Sequence, residues 1–314
     1  MINQFARAWM VNYQGMVTHA GMLCLVQEDG EMSTITDPRP SPIAGVWYNG
    51  NKEALASEID EYMNIATLPD LNGEVVAVIA PHAGYRYSGR TAGYAFRAVR
   101  GKAFDLVAVI SPYHQFHPAD MLTSAHSEYE TPLGSLPVDQ ECLQMFAESV
   151  NKSGAAGTLS TIQQDREHSL EIELPFLQRA LTQPFSLLPI MLRSRSVLQL
   201  EAIGKALAGV LRGRSALLVA STDLSHFYPL AIASKYDHEM LKQIEYFSPQ
   251  GVLAIEEQGR GFACGGPAVA AVLWAARELG ATKARLLHYS TSAEQTGDSS
   301  SVVGYGAAAV LRPE

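Results

Sequence analysis

An α/β fold is what this sequence predicts: a single-domain α/β/α sandwich around a mostly parallel central sheet. Three observations lead there. The runs at 74–80, 105–111 and 215–221 are rich in Val, Ile, Leu and Ala without polar alternation, as strands covered on both faces are. Helical patterns fall between such runs from residue 50 to the end, which is the order of a helix–sheet–helix sandwich. Hydrophobic residues are 47% and charged residues 18% of 314, which suits one sizeable core.

In chain order, residues 1–38 read as an N-terminal extension, either disordered or upstream of the true start, since Met10, Met16, Met22 and Met32 all offer starts. Leu23–Val26 and Met32–Ile35 flank Glu28-Asp29-Gly30, the pattern of a small hairpin. The proline-rich 37–42 stretch is a linker by composition, and the α/β domain is placed at 39–314. A helix is expected at 51–66, where Leu55, Ile59, Tyr62, Met63 and Ala66 share a face. Strand 74–80 follows, then helix 89–100, strand 105–111, helix 139–150 and strand 184–192. Helix 197–212 turns Leu198, Ile203, Leu207 and Leu211 inward. After strand 215–221, a helix at 267–279 opens on Pro267, and strands at 284–289 and 302–311 close the domain.

Charge and cysteine usage exclude several classes. The net charge is −9 with no Lys/Arg cluster, which argues against a nucleic-acid partner. No apolar run reaches the roughly 18–20 residues of a membrane helix, and the N-terminus makes a poor signal peptide. Three scattered cysteines, Cys24, Cys142 and Cys264, suggest free thiols in a reducing, cytoplasmic setting. No phosphate-binding loop, dinucleotide fingerprint or nucleophile elbow is present.

Three apolar runs end on histidines: His82, His114 and His226. Loops at the carboxyl ends of parallel strands line the ligand crevice of an α/β sheet, so these imidazoles converge if the strands are neighbours. Such a pocket suits a metal or acid/base chemistry. Tyr85, Arg86 and Tyr87 supply a polar and aromatic wall beside His82, between Gly84 and Gly89. His117 is expected to point outward. Asp223, three residues before His226, could ligate a metal or hold an imidazole in one tautomer; the plainer alternative is a helix cap beside a solvated His. His168 and Glu171 would share a helical face, as a clamp on the pocket or merely as a capped helix start. Cys264 lies just before a helix, where a thiolate would have a depressed pKa and act as nucleophile or soft ligand. Its alternative is a buried structural cysteine. Asp298 could orient a histidine, contact substrate or cap a turn.

Taken in order, these segments resemble the Memo family, labelled AmmeMemoRadiSam system protein B in bacteria and archaea. The matching stretches are Ala44-Gly-Val-Trp-Tyr48, Ala80-Pro-His-Ala-Gly-Tyr85, Tyr87-Ser-Gly89, Ser111-Pro-Tyr-His114, Tyr129-Glu-Thr-Pro-Leu133, Glu167-His-Ser-Leu-Glu171, Leu174-Pro175, Ser221-Thr-Asp-Leu-Ser-His226, Cys264-Gly265 and Asp298-Ser-Ser300. The resemblance implies a fold like that of class III extradiol dioxygenases, which hold non-haem Fe(II) with two His and one Glu. It places the two His on His82 and His114 and the Glu position on Cys264. It further implies iron or copper, with zinc as another choice, and a redox role. A functional association with a radical-SAM protein is implied too, as is phosphopeptide binding in animal members. Sulfur in place of a hard oxygen ligand speaks against ring cleavage.

Three readings compete. The first is a metal-dependent oxidoreductase with His82, His114 and Cys264 as ligands and His226, with Asp223, as acid/base. The second is a non-catalytic module binding an anionic peptide or small molecule through Tyr85, Arg86 and the helix N-terminus near Cys264, with His168 and Asp298 as further candidates for contact with a substrate. The third is metal-free Cys264–His226 nucleophilic catalysis.

Overall fold

The computed structural model describes residues 37–154 and 157–313. The expectations for 1–38 lie outside these, apart from Asp37 and Pro38. The elements are α1 (Lys52–Ile65), β1 (Glu74–Ala80), α2 (Tyr85–Arg97), β2 (Leu106–Pro112), β3 (Met121–Ser124), β4 (Glu128–Thr131), β5 (Gly134–Pro137) and α3 (Gln140–Ser153). After these come β6 (Leu159–Ile162), a 3-10 turn at Glu171–Glu173, α4 (Leu174–Ala180), β7 (Ser186–Leu192), α5 (Val197–Leu211), β8 (Ala216–Ser221) and β9 (His226–Tyr228). The chain closes with α6 (Leu230–Glu245), α7 (Pro249–Glu257), α8 (Gly266–Glu278), β10 (Lys283–Thr291), α9 (Ala293–Thr296) and β11 (Val302–Arg312).

Nine strands form one sheet in the order β10-β11-β1-β8-β2-β7-β3-β6, with β9 against β11. Its centre, β1-β8-β2-β7, is wholly parallel. The margins are where antiparallel pairing enters, through β11 beside β1 and β3 beside β7. The central strands are buried almost throughout, which is why they read as unbroken apolar runs. Helices α3, α5 and α8 pack together on one side, while α1, α2 and α4 pack together against the other. Helix α8 lies across the central strands and is buried from Gly266 to Ala276. Among the described residues no helix is long and apolar enough to cross a membrane.

The register aligns the ends of the central strands. Ala80 pairs with Ser221, Ile110 with Ala220, and Pro112 with Leu192. All four strands therefore stop at one edge of the sheet, and the residues after them share that edge.

The largest departure from an expected boundary is at the start of α2, and Leu198, expected to face inward on α5, is exposed. Helix α2 starts at Tyr85, four residues before the expected 89. Tyr85 and Arg86 thus sit in a first helical turn instead of a pocket loop. The helix turns Tyr85 into the core and Arg86 outward to solvent.

Candidate metal centre

Pro81 ends β1 and delivers His82, which is 2% exposed. The His82 Nδ1 lies 2.9 Å from Ser221 Oγ, at the carboxyl end of β8. That hydroxyl also meets the Ser169 carbonyl and Glu173 Oε1, each at 2.6 Å. A serine hydroxyl has one proton and accepts two. The carbonyl can only accept, so the proton goes to it. Oγ then accepts from His82 Nδ1–H and from a protonated Glu173. This fixes the His82 tautomer and frees Nε2 as a lone pair. Burial pushes the Glu173 carboxyl well above the glutamate range, consistent with that proton count. Its other oxygen, Oε2, has no partner among the described residues.

Glu173→Gln keeps this neutral, proton-donating shape at every pH. In wild type the native state holds the Glu173 proton more tightly than the unfolded chain does. The associated stability is complete below the ordinary glutamate pKa and is lost as pH rises through the folded value. The variant's melting temperature should therefore decline less than wild type's between about pH 5 and 8. Equal slopes in thermal melts would reject the neutral-carboxyl assignment.

His114 follows β2 by two residues and His168 sits in the loop before the 3-10 turn. One buried carboxylate, Glu167, organises both. Its Oε2 accepts the His114 backbone N–H at 2.7 Å. Its Oε1 meets His114 Nδ1 at 2.9 Å and accepts the N–H groups of His168 and Ser169, both at 3.0 Å. His168 Nδ1 is 3.2 Å from the same oxygen. Burial alone would raise the Glu167 carboxyl, but the hydrogen bond and charge of His114, with the charge of His168, hold it down at about 2.

His82, His114 and His168 thereby present one ring nitrogen each, and these ligand atoms all lie within 4.8 Å of one another. Ring centroids are 5.3 Å apart for His82–His114, 5.5 Å for His82–His168 and 4.7 Å for His114–His168. Trp47 packs on His168 at 4.2 Å. Burial and the neighbouring imidazoles push His82 well below its ordinary value, and burial brings His168 to about 4. For His114 burial is the largest single influence and pulls down, but the Glu167 hydrogen bond and the charges of Glu167 and Asp223 together outweigh it and leave the ring raised. About a third of the His114 side chain, 35%, is exposed.

The three-histidine set differs from the expected His82/His114/Cys264 set. His168, expected on the substrate side, joins the imidazoles. Cys264 stands next to them, its Sγ 3.1 Å from His82 Nε2. Gly265 allows this approach, because a Cβ there would strike the Ser221 carbonyl and Thr222. A depressed thiol pKa is not what the surroundings produce. Burial, then the charge of Asp223, push the Cys264 thiol far up, against the weaker pull of nearby N–H and hydroxyl donors.

Asp223 does not orient His226. Its Oδ1 accepts the His82 backbone N–H at 2.8 Å, fixing the loop after β1. Burial raises the Asp223 carboxyl to about 7, against the N–H groups of His82 and Ala83. The His226 Nδ1 instead donates to the Leu224 carbonyl at 2.8 Å, leaving Nε2 available. His226 is still near enough to lower the His82 pKa.

Three expected substrate-side residues stand apart from the cluster. Tyr85 is buried, with its hydroxyl donated to the Ile172 carbonyl at 2.8 Å and its ring 4.9 Å from Phe176. Arg86 is exposed, 5.8 Å from the ring of Tyr87. Asp298 is exposed and accepts the Ser300 N–H at 2.8 Å, the turn-capping alternative. Conversely, sequence reasoning misses the roles of Glu167, Glu173 and Ser221. Each acts through backbone groups or a hydroxyl, which leave no spacing signature.

The family model for Memo-like proteins matches residues 39–309. A MEMO1 family protein of Nitrosopumilus maritimus is 34% identical over 273 residues, covering 86% of this chain and 98% of its own. Another, from Methanothermobacter thermautotrophicus, is 33% identical over 276 residues, covering 85% and 98%. A third, from Methanosarcina barkeri, is 32% identical over 271 residues, covering 86% and 98%. With the family model spanning most of the chain and relatives matched along nearly their full length, this protein belongs to the Memo family.

Proposed function

We propose that the protein is a metal-dependent oxidoreductase that holds iron or copper through His82, His114 and His168, with Cys264 alongside. The observation that carries this is the shared orientation of the three imidazoles. Ser221 and Glu167 hydrogen-bond the Nδ1 of His82 and His114, His168 Nδ1 lies 3.2 Å from Glu167, and one nitrogen of each ring falls within 4.8 Å of the others, with the Cys264 sulfur 3.1 Å from His82 Nε2. Metal-bound histidines are held in that way. The donor set fits the group: three imidazoles and a neighbouring sulfur suit copper, iron or zinc better than magnesium or calcium. Bound there, the metal would supply Lewis acidity and one-electron chemistry.

The chain's own residues then have distinct tasks. Ser221 keeps the His82 ring and Glu167 the His114 ring in one tautomer. Asp223 fixes the His82 loop through its backbone. His226, anchored on Leu224, offers Nε2 to exchange a proton with a ligand.

Metal content of anaerobically purified protein tests the reading. Wild type should carry about one equivalent of iron or copper, and His82→Ala, His114→Ala and His168→Ala about a tenth of that or less. Cys264→Ser should keep most of its metal if the three histidines suffice. The same low content in wild type and all three histidine variants would reject the centre.

A further inference from the structure

The parallel centre has four strands, and three carboxyl ends are already accounted for: His82 after β1, His114 after β2 and Asp223 after β8. The fourth, β7, ends at Leu192 and delivers Arg193 to the same edge. Beside it is a cavity of about 270 Å³ that reaches His114 and Cys264. Its walls include Pro112, Leu192 and Pro267, and no carboxylate lines it.

We infer that this cavity is an oxyanion subsite, in which Arg193 receives a carboxylate or phosphate group of a small ligand whose body lies against His114 and Cys264. The placement of the reacting end rests on the metal reading; the anion site does not.

The state of the arginines supports this. Arg193 is half-buried, yet among the described residues its guanidinium has no carboxylate or carbonyl partner. It lies over the ring of Phe116, with Cζ 5.4 Å from the ring centroid. A guanidinium held over a ring in this way still has its N–H donors available for the two oxygens of an oxyanion. The neighbouring Arg195 is already matched, 2.5 Å from Glu256 Oε1, so Arg193 is the cavity's uncompensated cation. A second cavity, of about 210 Å³, makes the contrast. It lies at the amino ends of the strands, and its arginines are spent: Arg312 on Glu74, Arg214 on Asp139 and Arg212 on the Glu278 carbonyl. A chain of net charge −9 repels anions at long range, so an unpaired local cation is what would capture one.

Calorimetric titration of metal-free protein with benzoate, its neutral isostere benzamide, and phenyl phosphate tests the subsite. Benzoate or phenyl phosphate should bind about ten-fold or more tighter than benzamide. Whichever oxyanion is preferred identifies the group the site takes. Arg193→Gln should bring the oxyanion and benzamide within about two-fold, and Arg193→Lys should restore part of the difference. Zn(II) titration reads the imidazoles separately: Arg193→Gln should keep Zn(II) binding and His168→Ala should lose it. Equal binding of benzoate, phenyl phosphate and benzamide, no binding of either oxyanion, or unchanged oxyanion binding by Arg193→Gln would overturn the inference whatever the zinc result.

Discussion

Arg39→Ala should destabilise the protein by about 3–5 kcal/mol, seen as a lower urea midpoint. Arg39 is fully buried and meets two carboxylates at once. Its Nε lies 2.8 Å from Asp165 and its Nη1 2.5 Å from Glu171. Its Nη2 donates to the Glu167 carbonyl at 2.6 Å, and its Cζ is 5.0 Å from the Tyr129 ring. Tyr48 and Ser41 donate to the other Glu171 oxygen, and Tyr129 to Asp165. Removing the cation leaves two buried acids facing only neutral donors, which is the costly way to break a buried pair. The damage should also reach the imidazoles, since Arg39 holds the Glu167 backbone. Arg39→Lys keeps a charge but not the fork that spans both acids, so it should fall between. A loss below about 1 kcal/mol for Arg39→Ala would contradict the account.

Glu167→Ala should weaken Zn(II) binding by about 10–100-fold and lower stability as well. The carboxylate accepts three backbone N–H groups and the Nδ1–H of His114. Each buried donor left without an acceptor costs about 1–3 kcal/mol before water or relaxation repairs part of it. His114 also loses the group that fixes its tautomer. Glu167→Gln preserves shape, but its amide nitrogen would face donors, so it should be intermediate in both measurements. Normal zinc affinity in a folded Glu167→Ala protein would show that the imidazoles hold themselves in place.

Both predictions depend on residues whose importance is only partly legible in the sequence. The four central strands are legible because burial on both faces removes polar alternation, and each lies within two residues of its expected bounds. Helix α6 is not, since its run is interrupted by Ser234, Asp237 and His238; Asp237 is nonetheless buried, bonded to Tyr289 and the Ser225 N–H. The short marginal strands β3 to β6 have four residues each, too few to show a period. At the site, His82 and His114 stand out because each follows an apolar run. His168 follows none. It reaches the cluster through Glu167 and Arg39, contacts made across more than 50 residues of chain. The expected Tyr85 and Arg86 wall fails for a local reason, the early start of α2. Without an N-cap side chain, that start has no signature in sequence.

The three imidazoles come from positions 82, 114 and 168, and only the finished sheet edge gathers them. An unfolded chain has no such gathering, so a metal seated there would prefer the native state almost exclusively. It would act as a clasp between distant parts of the chain, adding about 2.7 kcal/mol of stability at a hundred-fold excess over its dissociation constant. The protein's heat resistance would then report how much metal its surroundings hold.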